Sequence, residues 1–76
     1  MAEPRPTILF VDDEKDVLEI LVRTFERSYD VLTASSGQKA LEAAGSRRID
    51  LLVTEQKMPE MTGIELVSAL REKGVD

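Results

Sequence analysis

Hydrophobic positions in this chain follow two periods that alternate from one end to the other. Residues 7–11, Thr-Ile-Leu-Phe-Val, are β-branched, aromatic or aliphatic throughout. A run that is apolar on both faces predicts a central strand of a parallel sheet. It stops abruptly at Asp12-Asp13-Glu14. Over residues 14–27 the period lengthens. Val17, Leu18, Leu21 and Phe25 recur at helical spacing, with Ile20 and Val22 flanking the stripe. Asp13 and Asp16 form a pair like a capping box at the start of this helix, and both acids suit the positive end of its dipole. Asp12 lies ahead of the capping position.

The alternation then repeats. Residues 29–34 predict a second strand around Val31 and Leu32. Ser36 is placed to cap a second helix whose face is Ala40, Leu41, Ala43 and Ala44, and Gly45 is expected to end it. Residues 49–55 predict a third strand led by Leu51-Leu52-Val53. A loop with Pro59 follows, and Met58 and Met61 are expected to pack beneath it. Thr62 and Glu65 form a capping box for a third helix carrying Ile64, Leu66, Val67 and Leu70, with Gly74 at its end. Pro4 and Pro6 set residues 1–6 apart as an extended leader.

The order β-α-β-α-β-α implies an α/β fold with a parallel sheet and right-handed crossovers. Ligands of such sheets bind beyond the carboxyl ends of the strands. Asp12, Asp13 and Glu55 sit at those ends of the first and third strands. If the two strands are neighbours, the three carboxylates converge.

Composition narrows the chemistry. Lys plus Arg is 10 and Asp plus Glu is 15, a net charge of −5 in 76 residues. That disfavours nucleic acid as a partner, since phosphate binding needs clustered cations. With no Cys and no His, thiolate and imidazole ligands and a Ser–His dyad are excluded. The longest apolar run, Ile8-Leu9-Phe10-Val11, is far short of the roughly 20 residues of a membrane helix. The first six residues carry no signal-peptide core. The expectation is a small cytoplasmic module.

Clustered carboxylates repel one another, and a hard cation such as Mg²⁺ relieves the repulsion. The acidic cluster therefore suggests Mg²⁺-assisted phosphoryl chemistry. The competing reading of Asp12 and Asp13 is that they only start the helix. A dinucleotide fold needs a glycine-rich turn after the first strand, and Asp-Asp-Glu there would repel a pyrophosphate. The same acids exclude a P-loop.

From about residue 7 to its end the chain resembles the N-terminal part of a bacterial response-regulator receiver domain. The resemblance rests on Ile8-Leu9-Phe10-Val11-Asp12-Asp13-Glu14 and on Tyr29-Asp30-Val31 with Ala34, Gly37, Ala40 and Leu41. It continues through Asp50-Leu51-Leu52-Val53, Lys57-Met58-Pro59-Glu60-Met61-Thr62-Gly63-Ile64-Glu65 and Leu70-Arg71. It implies a doubly wound sheet of five parallel strands, order 2-1-3-4-5, of which this chain carries the 2-1-3 portion. It implies a switch driven by phosphorylation of an aspartate by a partner histidine kinase or phosphotransfer protein. Carried over, Asp12 and Asp13 would hold Mg²⁺ together with the backbone carbonyl of Lys57. The phosphoacceptor position falls on Glu55, which would itself face the cation.

Glu55 departs from the family's aspartate. Its extra methylene displaces the carboxylate by about 1.5 Å. That predicts a poor acceptor whose charge partly mimics a phosphoryl group, or a site simply inactivated. The family's hydroxyl after the fourth strand and Lys after the fifth would lie beyond Asp76. The leading reading is a regulatory receiver module and not an enzyme. A second is a pseudo-receiver that only dimerises or docks. A Mg²⁺-dependent phosphohydrolase is the weakest, because Glu55 is its only candidate nucleophile. The third strand is expected to leave an apolar edge through which chains self-associate, with Ile64, Val67 and Leu70 losing part of their cover.

Overall fold

A computed structural model of the protein describes residues 5–72. Three strands and three helices alternate: β1 (Thr7–Val11), α1 (Lys15–Phe25), β2 (Asp30–Ala34), α2 (Gly37–Ser46), β3 (Leu51–Thr54) and α3 (Gly63–Glu72). The strands form one parallel sheet of order β2-β1-β3. All five residues of β1 are buried, which is why that strand is apolar on both faces.

Alternate residues of β1 feed two cores. Ile8 and Phe10 face α1, packing with Leu18 and the partly buried Leu21, Phe25, Tyr29 and Val31. The Phe10 and Phe25 rings lie 5.4 Å apart, and Tyr29 meets Phe25 edge-on at 5.9 Å. Leu9 and Val11 face the other way, packing with Ala34, Ala40, Met58, Leu66 and Leu70 beneath α2 and α3. The sheet is thus doubly wound. Met58 is buried and Met61 packs against the same core, as expected for residues beneath a loop.

Helix ends are set by side chains. The Ser36 hydroxyl accepts the Lys39 N–H at 3.1 Å. Thr62 and Glu65 form the expected capping box: Thr62 Oγ1 accepts the Glu65 N–H at 3.1 Å, and Glu65 Oε1 accepts the Thr62 N–H at 3.0 Å. The Thr62 backbone N–H foremost, and the Thr62 hydroxyl after it, hold the Glu65 carboxyl below its ordinary range. A depressed folded pKa adds stability above the unfolded value of 4.5 that is lost as pH falls through the folded one. Thr62→Ala is expected to lower unfolding free energy by about 1 kcal/mol, read from urea titration at neutral pH. The deficit should shrink in acid, as pH falls through the folded pKa of Glu65 below 4.5 and its reciprocal bond is lost.

Several boundaries differ from the sequence expectation. Glu14, not Asp13, is the N-cap residue of α1, and its side chain makes no capping bond. The helix ends at Phe25, and the guanidinium of Arg5 donates to the carbonyls of Glu26 at 2.7 Å and Arg27 at 3.4 Å. A residue that precedes β1 therefore closes that end. Gly45 lies inside α2, which runs on to Ser46 with Arg47 as C-cap. A helical glycine costs about 1 kcal/mol, too little to end a helix by itself. Arg47 then pairs with Asp30, and Arg48 approaches Asp50. β3 is shorter than residues 49–55. Asp50 reaches β1 through both backbone and side chain: its N–H meets Thr7 O at 2.9 Å and its Oδ2 accepts the Thr7 N–H at 2.7 Å. The expected helix end at Gly74 and the first four leader residues lie outside the described residues.

Apolar side chains remain uncovered. Leu51 and Val53 stand in register with Ile8 and Phe10, so they extend the α1 face of the sheet. α1 itself lies over β1 and β2. Leu51 is 50% and Val53 43% exposed. Ile20 and Ile64 are exposed as well, whereas Leu70 is buried and Val67 half-buried. The expected loss of cover on α3 thus falls mainly on Ile64.

Candidate functional site

Because β1 and β3 are neighbours, the residues that follow them leave the sheet side by side. Asp12 donates its N–H to Ala34 O at 3.1 Å, and Glu55 donates its own to Val11 O at 2.9 Å. Both acids are thereby fixed at the carboxyl edge of the sheet, one step past the paired residues Val11 and Thr54.

Their side chains turn toward their own backbones. Asp12 is half-buried, and its Oδ1 accepts the Glu14 N–H at 2.9 Å. This Asx-turn starts α1. Asp12 therefore takes the local part that the sequence assigned to Asp13. Glu55 is exposed, and its Oε1 accepts the N–H of Gln56 at 2.9 Å and that of Lys57 at 3.5 Å. Asp13 lines a cleft of about 450 Å³ with Ser35, Ser36, Gly37, Met58 and Glu60, among others. Gly37 matters there, because a Cβ at that position would stand 2.6 Å from Met61 Sδ and 3.0 Å from its Cβ.

The strand positions alone implied three converging carboxylates. The backbones of Asp12 and Glu55 do converge, but their carboxylates are drawn off by local N–H donors. Among the described residues, no three acidic side chains form a ready cation-binding group. The candidate donors remain chemically suited to a hard cation. They are the carboxylate oxygens of Asp12, Asp13 and Glu55 and the Lys57 carbonyl, and Mg²⁺ uses only one or two carboxylates with water completing its shell.

Two features were missed in the sequence. Glu60 adds a second acid to the cleft of Asp13, placed there by the loop after β3. Gln56 ties that loop to α3: its carbonyl accepts the Gly63 N–H at 3.1 Å, and its side-chain Oε1 accepts the Ile64 N–H at 3.1 Å. The only sequence signal for Gln56 was an amide side chain just after the third strand.

Comparison with known proteins agrees with this fold. The chain matches the response regulator receiver domain family over residues 8–76. It is 43% identical over 67 residues to the alkaline phosphatase synthesis transcriptional regulatory protein PhoP of Bacillus subtilis, covering 87% of this chain and 28% of that protein. It is 38% identical over 74 residues to the two-component response regulator ORR3 of Oryza sativa subsp. indica, covering 92% of this chain and 55% of that protein. Among solved structures, the chemotaxis protein CheY4 of Vibrio cholerae superposes with a TM-score of 0.88 at 34% identity, over 92% of this chain and 59% of that one. The chain therefore spans only part of the length of the relatives it matches. With a parallel sheet of order β2-β1-β3, acids at the ends of β1 and β3 and this family match, the chain belongs to the response-regulator receiver domains of two-component systems.

Proposed function

We propose that residues 7–76, behind a leader of residues 1–6, act as a cytoplasmic regulatory receiver segment with a carboxylate fixed at its acceptor position. A histidine kinase or phosphotransfer protein would be its upstream partner. The observation that carries this reading is the placement of Glu55 at the carboxyl end of β3, beside the acidic end of β1. The longer side chain of Glu55 makes it a poor acceptor. Its charge supplies part of what a phosphoryl group adds, about −1.5 to −2. This is a protein-interaction switch and not an enzyme: the chain has no His or Cys to move a proton or act as nucleophile.

Asp12, Asp13, Glu55 and the carbonyl of Lys57 would hold Mg²⁺ weakly. The ion supplies neutralisation of clustered negative charge and polarises phosphoryl oxygens. Weak affinity is supported by the bonds Glu55 already makes, because its carboxylate would have to leave two N–H donors to reach the ion. Titration with Mg²⁺ at millimolar levels is expected to shift the amide resonances of residues 12–13 and 55–57. Asp12→Asn should weaken the response several-fold. Unmoved resonances at these positions would remove the metal site from the reading.

A second reading, a pseudo-receiver that dimerises or docks, is favoured by the exposed Leu51 and Val53 on the edge strand. Incubation with Mg²⁺ and a small phosphodonor, followed by intact mass, separates the two. In a polypeptide completed with the family's fourth and fifth strands, a phosphoryl group acquired by Glu55→Asp but not with Glu55 supports the switch, and its absence even in Glu55→Asp supports the docking module.

A further inference from the structure

Helix α3 begins with N–H groups that have no partner inside the helix, as every helix does. Three of them are accounted for by only two residues. Gly63 N–H goes to the Gln56 carbonyl at 3.1 Å, Ile64 N–H goes to Gln56 Oε1 at 3.1 Å, and Glu65 N–H goes to Thr62 Oγ1 at 3.1 Å. The capping box thus secures one donor, and Gln56 secures the other two, one with its backbone and one with its side chain. The N–H of Gln56 is itself held by Glu55 Oε1 at 2.9 Å. An unbroken set of hydrogen bonds therefore runs from the carboxylate of residue 55, through Gln56, to the first turn of α3.

The packing leaves no slack in this connection. A Cβ on Gly63 would lie 2.9 Å from the Glu55 carbonyl oxygen, 3.0 Å from Gln56 Oε1 and 3.1 Å from Thr54 Cγ2. The missing side chain at residue 63 is what lets the start of α3 sit directly on the 55–56 peptide.

We infer that Gln56 is a positioning residue that couples the carboxylate at position 55 to the start of α3. Its relevance to signalling rests on the reading of position 55 as the group that changes state. When that carboxylate stays on its loop, the Gln56 N–H is satisfied, and its carbonyl and amide oxygen stay aimed at α3. When the carboxylate turns away, toward a cation or because it is modified, Gln56 loses its acceptor. Its peptide reorients, and both contacts to Gly63 and Ile64 weaken together.

The test is a double-mutant cycle on the 76-residue chain, read by amide hydrogen exchange and resonance positions at residues 63 and 64. Glu55→Ala removes the carboxylate, and Gln56→Met keeps length while removing the side-chain acceptor. Glu55→Ala alone is expected to raise exchange at Ile64 about fivefold, the size of one lost hydrogen bond. In the Gln56→Met background it should add no further change. Gln56→Glu, which keeps an acceptor oxygen, should keep both the protection and the response to Glu55→Ala. An unchanged Ile64 amide in Glu55→Ala overturns the coupling. So does an equal response with and without the Gln56 acceptor. Mg²⁺-induced shifts at Asp12 and Asp13, measured on the same samples, bear only on the metal reading, so the two ideas fail separately.

Discussion

Glu55→Asp, in a polypeptide completed with the fourth and fifth strands of the family fold, is expected to take up phosphate from a small phosphodonor at least about 10²-fold faster than the same polypeptide with Glu55. The geometry gives the reason. The backbone of residue 55 is fixed by its bond to Val11 O, so side-chain length alone decides where the carboxylate lies. With one methylene more, the reacting oxygen is displaced by about 1.5 Å. It also gains the reach to fold back onto Gln56 and Lys57, which removes it from an attacking position. Intact mass over time gives the rates, and peptide mapping gives the site. A stable phosphate on Glu55 itself would overturn the geometric argument. A phosphate on Asp12 or Asp13 would instead mark a displaced acceptor.

That contrast between fixed backbone and free side chain also explains what could be read in the sequence. β1 was legible because five consecutive apolar or β-branched residues have few options other than a central strand, and all five are buried. Ser36 and the Thr62–Glu65 box were legible because their bonds close over three residues, within reach of local pattern. The family resemblance pointed to Asp12, Asp13 and residue 55, and the backbones of Asp12 and Glu55 do lie side by side one step past the paired strand ends. What was not legible depends on rotamers and on partners distant in sequence. Asp12 rather than Asp13 starts α1 because β1 delivers Asp12 with its Oδ1 facing the Glu14 N–H. Arg5 closes α1 from 21 residues away. Gln56 is an ordinary loop residue until α3 docks on it. Ile20 flanks the helical stripe and is 63% exposed, over a narrow sheet of three strands among the described residues.

The same narrow sheet leads to the remaining expectation, that the 76-residue polypeptide self-associates through β3. One edge of β3 pairs with β1, and among the described residues no strand pairs with the other. An unpaired edge offers a row of N–H and C=O groups to another chain. Here the edge also carries apolar side chains: Leu51 and Val53 extend the face begun by Ile8 and Phe10 and remain about half exposed. A two-fold antiparallel pairing centred on Leu52 sets Leu51 of one copy opposite Val53 of the other, on one face, twice. Apolar cross-strand pairs of that kind contribute roughly 0.2–1 kcal/mol each beyond the backbone bonds. Light scattering at micromolar concentration is therefore expected to give twice the monomer mass. The double substitution Leu51→Lys with Val53→Lys should return it to the monomer, since neither side chain fills a buried space and like charges would then face the open edge. A polypeptide extended by the family's further strands, which would cover the edge from within, should be monomeric without any substitution. A compact monomer that unfolds cooperatively in the unsubstituted 76-residue chain would show that the edge is tolerated in water, and edge pairing would then have no part in how this receiver segment works.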